Sequence, residues 1–221
     1  MRKKSTLTGT ILTSMAMAVM ALLLPQSVWS RTIDYRQADI GYELNTSTKE
    51  ATVTDLRHVY NDIIVPDSVV YENAVYRVTA VGFRAAYVNT MARTIQLGKY
   101  VEFIDSCAFY NNMSLKSINI PKGVKIIGGQ AFQSCSGLDT LALPEGLEYI
   151  GAAAFAYTGL KTLHIPSSVK HLGDNPQFGA SKLKTITIGA ANPYFKIVES
   201  AVCSMDGKRL LFVPFGASLR T

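Results

Sequence analysis

Apolar side chains recur along this chain at a fixed long interval. Written in register, it reads ARTIQLGKYVEFIDSCAFYNNMS from Ala92, LKSINIPKGVKIIGGQAFQSCSG from Leu115, LDTLALPEGLEYIGAAAFAYTG from Leu138, LKTLHIPSSVKHLGDNPQFGASK from Leu160 and LKTITIG from Leu183, with starts 23, 23, 22 and 23 residues apart. A second ladder, Val81, Ile104, Ile127, Ile150 and Leu172, keeps phase at intervals of 23, 23, 23 and 22, and glycine follows in four of the five cases. Within one unit Ile118 and Ile120 alternate with Ser117 and Asn119, the period of a short strand with one apolar face. Pro121 and Gly123 end that strand, because proline has no amide hydrogen and glycine frees the backbone. Val124 and Ile127 turn inward again from a second short segment, Gly128 permits a bend, and Ala131-Phe132 inserts a small and a large apolar group. A unit of this size cannot bury its apolar face alone. Stacked units are predicted, with ladders of Ile and Leu and a spine of Phe109, Phe132, Phe155 and Phe178 packed as core rather than as a ligand platform.

The pattern fades at both ends. Residues 40–53, IGYELNTSTKEATV, alternate on either side of a polar turn and predict a hairpin, the centre of an N-terminal β-hairpin cap over residues 31–62. The next unit carries an insertion between Val69 and Val78 and has Ala86 where the phenylalanine belongs. Near the other end Asp206-Gly207 separates two apolar runs, a hairpin signal because both residues tolerate positive φ. Repeats are expected over residues 63–214, about six units, with a tail at 215–221. With so little chain after that hairpin, a shortened array is expected, or a chain that covers its last edge by association.

The spacing L-x-x-L-x-L is that of leucine-rich repeats, although no Asn or Cys ladder follows the strand; Tyr100, Gly123, Gly146 and Ser168 stand there instead. IPKGVKIIGGQAFQSC and LPEGLEYIGAAAFAYT resemble the BspA-like branch of that family, in which a proline, an Ile-Gly pair and an Ala-Phe pair recur in order. The resemblance covers about Ile63 to Pro214. It implies an α/β-poor repeat solenoid of 22–23-residue units with short parallel strands on its concave face. It also implies a surface or secreted protein that contacts host or matrix proteins, or other cells.

Ahead of the repeats, residues 1–30 begin with Arg2, Lys3 and Lys4, run apolar from Ile11 to Leu24 but for Thr13 and Ser14, and close on Pro25 and small residues. This is a signal-peptide pattern, with Val28 and Ser30 at the small-residue positions before a cut ahead of Arg31. An uncleaved anchor is the alternative, but the apolar run is about fourteen residues against the roughly twenty that span a bilayer. A secreted or cell-surface protein is expected, its mature chain not inserted in the membrane. The leader also reduces the charge argument: removing its three bases leaves 19 basic against 16 acidic residues, so a formal +6 becomes +3. Those bases are spread from Arg31 to Arg220, with only Lys208-Arg209 adjacent, whereas a nucleic-acid binder gathers them on one face, and no nucleic-acid partner is expected.

Candidate chemistry is sparse. His58 lies in the cap, and His164 and His171 lie on different sides of a turn with no carboxylate or Cys at ligand spacing, so no metal is expected. There is no G-x-S-x-G elbow and no Walker loop. Open solenoid surfaces rarely form the closed pocket of an enzyme, so neither catalysis nor a cofactor is expected. Cys107, Cys135 and Cys203 read as small buried hydrophobes, with one disulfide as the alternative.

What remains is surface. The outward strand positions set Thr94, Ser117, Thr140, Thr162 and Thr185 in one row and Gln96, Asn119, Ala142, His164 and Thr187 in a second, a polar and uncharged strip beside Arg93, Lys116, Asp139, Lys161 and Lys184. The strip is a candidate recognition surface; the competing reading is a solvated sheet face that Thr suits by its strand propensity. The expected function is non-enzymatic protein binding or adhesion at the cell surface. Its partner would be a host matrix, cell-surface or envelope protein, or a glycan. The alternative is a structural or accessory module of a bacterial envelope or glycan-handling assembly.

Overall fold

The computed structural model describes residues 32–173 and 182–212. The expected leader with its cut before Arg31, Phe178 and the tail lie outside the described residues. Every regular element among the described residues is a strand, so no helix is long and apolar enough to cross a membrane.

The chain winds as a solenoid whose turns are joined on more than one side. Strands β1 (Thr32–Gln37), β2 (Ile40–Asn45) and β3 (Glu50–Asp55) form an antiparallel meander. β3 then pairs in parallel with β6 (Ala74–Val81), so the meander continues directly into the repeats. The insertion between Val69 and Val78 is itself a hairpin, β5 (Ser68–Tyr71) against β6. From β6 the same sheet continues in parallel through β8 (Phe103–Ile104), β10 (Ile126–Ile127), β11 (Tyr149–Ile150) and β13 (His171–Leu172). We call this the long sheet; it is built on the Ile-Gly ladder.

The L-x-x-L-x-L segments form the other wall. β4 (Asn61–Ile64), β7 (Ala92–Gln96) and β9 (Ser117–Ile118) pair in parallel, as do β12 (Thr162–Ile165) and β14 (Thr185–Ile188). Between them Thr140–Leu143 forms no strand, so the wall is split in two. Past the repeats, β15 (Phe195–Val198), β16 (Ala201–Ser204) and β17 (Leu210–Phe212) make an antiparallel sheet. The hairpin read at Asp206-Gly207 is its second turn. Its first turn, Glu199-Ser200, has φ of 49° and 71°, and Ala38-Asp39 and Glu72-Asn73 make two-residue turns of the same kind. None contains glycine, the residue that usually betrays such a turn.

Inside, Phe109, Phe132 and Phe155 are fully buried and stack with ring centroids 5.2 and 5.8 Å apart. The glycines of the Ile-Gly ladder are required by close approach between turns rather than by a bend. A Cβ at Gly128, Gly151 or Gly173 would lie 2.2–2.4 Å from a backbone nitrogen of the preceding turn. A polar ladder also exists, placed before the strand rather than after it: Asn89, Asn112, Cys135 and Thr158 follow one another at intervals of 23 and are all buried. The Asn89 amide donates to the carbonyls of Leu56 and Val59 and accepts from the amides of Met91 and Ala92, while Asn112 donates to Ala86 O and Cys135 Sγ to Phe109 O. These side chains satisfy buried carbonyls that turning backbone cannot pair itself.

Candidate functional site

The polar strip is real as a surface, and it begins one rung earlier than its sequence pattern suggests. Asp62 and Ile64 on β4 precede the expected rows, and Thr94 Oγ1 donates to Asp62 Oδ1 at 2.5 Å. Thr94 is half-buried, while Gln96, Ser117, Asn119, Thr140, Ala142, Thr162, His164, Thr185 and Thr187 are exposed. Register is direct between Thr94 and Ser117, between Thr162 and Thr185, and between His164 and Thr187.

Four members of the strip are engaged in holding turns together, Thr94 through Asp62 among them. Asn119 accepts from the Leu97 amide at 2.6 Å and donates to the Leu97 carbonyl at 3.2 Å. His164 Nδ1 and Thr187 Oγ1 are 2.9 Å apart. The side chains of Gln96, Ser117, Thr140, Thr162 and Thr185 form no such bond among the described residues. They are free to meet a ligand.

Proline explains why the wall splits where it does. The segments end at Pro66, Gly98, Pro121, Pro144, Pro166 and Gly189 in turn. Neighbouring turns pair wherever a glycine stands in one of the two, and fail to pair between Pro121, Pro144 and Pro166. Gly189 donates its amide to Ile165 O at 2.9 Å, a bond that proline cannot make. At Pro121 the missing donor is replaced by the Asn119 amide on Leu97 O; one turn later Ala142 occupies the position of Asn119 and offers no replacement. The result is an open depression of about 440 Å³ lined by Ser117, Ile118, Thr140, Leu141, Ala142, Thr162 and His164. Thr140, Leu141 and Ala142, which line the depression, make no backbone hydrogen bond among the described residues.

The outer face of the long sheet escaped the sequence reading. Phe103, Ile126, Tyr149 and His171 are in register across four strands, half-buried but for the exposed His171, and the Tyr149 and His171 rings stack at 4.5 Å. The signal was available, since these residues precede the Ile-Gly ladder at each turn, but their varied chemistry hid the row.

Chemistry beyond binding is thinly supplied. Among the described residues no three His, Cys, Asp or Glu side chains gather where they could hold a metal ion. Cys107, Cys135 and Cys203 are free and buried, and burial pushes the Cys135 thiol up to about 12, so it is a packing group rather than a nucleophile.

The BspA type leucine-rich repeat region matches residues 73–196 in six copies, more than half of the chain. The chain belongs to this family. Solved structures agree on the fold. A leucine-rich repeat protein from Bacteroides ovatus is 24% identical with a TM-score of 0.65, over 73% of this chain and 45% of its own. A leucine-rich repeat protein of T. pallidum is 22% identical with a TM-score of 0.62, over 70% and 71%, and the pneumococcal vaccine antigen PcpA is 20% identical with a TM-score of 0.60, over 82% and 56%. The BspA-type chain thus spans less than half the length of the Bacteroides ovatus protein. No curated protein matches it. Leucine-rich repeat chains commonly serve protein–protein interaction through such extended repeat surfaces.

Proposed function

We propose that this chain is an exported, non-enzymatic binding scaffold that adheres to a protein partner through the polar strip, with the depression at Thr140 as its centre. The partner is a host matrix, cell-surface or envelope protein. The observation that carries the reading is the split wall. A continuous ladder would consume its own backbone groups, whereas here Thr140–Ala142 and the free hydroxyls of Ser117, Thr140 and Thr162 offer donors and acceptors together at one accessible place. An extended polypeptide presents the same mixture and is the natural complement. With no charged residue lining the depression, recognition is short-ranged and only mildly dependent on salt.

Export rests on the leader pattern of residues 1–30. A glycan is the second reading, favoured by the hydroxyl-rich lining and by a volume within the roughly 300–1,000 Å³ of small-ligand sites; it suits a module of an envelope or glycan-handling assembly.

Thr140→Lys with Thr162→Lys tests both. These exposed side chains hold no turn together, so melting should stay unchanged while binding to immobilised matrix or envelope protein falls at least about tenfold. Binding to those proteins that is unaltered by the pair removes the strip from the function; loss confined to a glycan array selects the second reading.

A further inference from the structure

The outer face of the long sheet carries a row of charges that is complementary to its own reversal. From turn to turn the row reads Glu102, Lys125, Glu148, Lys170. It runs beside the row Phe103, Ile126, Tyr149, His171, whose register the strand pairing fixes. Both rows point outward because two consecutive amides bond to one carbonyl: Lys125 N and Ile126 N to Glu102 O, Glu148 N and Tyr149 N to Lys125 O, Lys170 N and His171 N to Glu148 O. On either side of the pair, Val101, Val124, Leu147 and Val169, and Ile104, Ile127, Ile150 and Leu172, are buried.

A two-fold axis lying in the face, parallel to the strands and midway between the second and third turns, lays the row upon itself in reverse. Glu102 then meets the second copy's Lys170, and Lys125 meets the second copy's Glu148. All four contacts pair acid with base, while Phe103 covers His171 and Ile126 covers Tyr149. This is the self-complementarity that an isologous contact demands.

Within one copy the charges are only partly spent. Lys170 Nζ bonds Glu148 Oε2 at 2.8 Å, whereas Glu102 and Lys125 form no ion pair among the described residues. We infer that this face docks a second copy of the chain, antiparallel and face to face, with Glu102 and Lys125 as the groups that the contact satisfies. The four turns span about 14 Å at the usual strand spacing, and two outward residues per turn make a contact well below the roughly 20–30 residues a side of a standard interface, so the dimer is weak and reversible.

Sedimentation equilibrium of the full chain over a concentration series tests this. Lys125→Glu sets acid against acid at two symmetric places and should raise the dissociation constant at least about tenfold. Adding Glu148→Lys is decisive. The double variant restores every acid–base contact between copies, but within each copy it sets like charges side by side and removes the bridge to Lys170. Association should return even as the melting temperature falls. If the alternation serves only the single copy, the double variant will be less stable and no more associated than Lys125→Glu. That outcome, a monomer at all concentrations up to about 1 mM, or a dimer indifferent to Lys125→Glu overturns the inference.

Discussion

The two parallel walls come from one repeat, yet one is continuous and the other is broken. On the long sheet the residue after each strand is glycine in three of the turns from β10 to β13, so backbones approach until no side chain fits between them. On the strip the corresponding residue is proline at three successive turns, Pro121, Pro144 and Pro166, and the ladder fails between them. The continuous wall spends its backbone hydrogen bonds on itself and can interact only through side chains. The broken wall leaves the backbone of residues 140–142 without hydrogen bonds among the described residues. Continuity commits the backbone to the fold, and interruption leaves part of it uncommitted.

The two walls share one support. Phe132 lies between Phe109 and Phe155 and underlies both walls, so Phe132→Ala should cost about 4 kcal/mol in denaturant unfolding. A loss below about 1 kcal/mol would mean that the spine does not couple the turns. Next comes the long sheet alone. Gly151→Ala places a methyl group 2.3 Å from Gly129 N and should cost about 3 kcal/mol, while the same substitution at Gly146, where only Lys125 Nζ lies within 3.4 Å, strains a φ of 107° without forcing two turns apart. Amide exchange should accelerate along β10, β11 and β13 in the first variant and stay native there in the second. The smallest effect sharpens the proline account. Ala142→Asn supplies the amide that Asn119 supplies one turn earlier, and should stabilise the chain by about 1 kcal/mol and weaken partner binding as the depression closes. If that variant is destabilised, the gap has another cause.

Much of this was legible in the sequence because repetition makes a weak signal strong. A single Ile-Gly pair says little, but the same pair at several turns in one phase identified a stacked core, the Phe spine and the wall that became the long sheet. Three things were not legible. Hairpins at Ala38-Asp39, Glu72-Asn73 and Glu199-Ser200 contain no glycine and open on Ala or Glu, which usually avoid positive φ, so the composition cue was weak. The buried ladder of Asn89, Asn112, Cys135 and Thr158 changes residue type at nearly every turn, and only the shared hydrogen-bonding role reveals it. Asn119 reads as a free polar group until its bonds to Leu97 are seen.

The sequence by itself determined the repeat length, the inward ladders of both walls and the outward rows of the strip, because a regular backbone converts periodicity into position. Tertiary structure decided which rows remain continuous and which side chains are already engaged. Those outcomes depend on what the adjacent turn places opposite each donor and acceptor, and Pro144 or Ala142 acquires its consequence only when the neighbouring turns, about 22 residues away in either direction, are stacked against it.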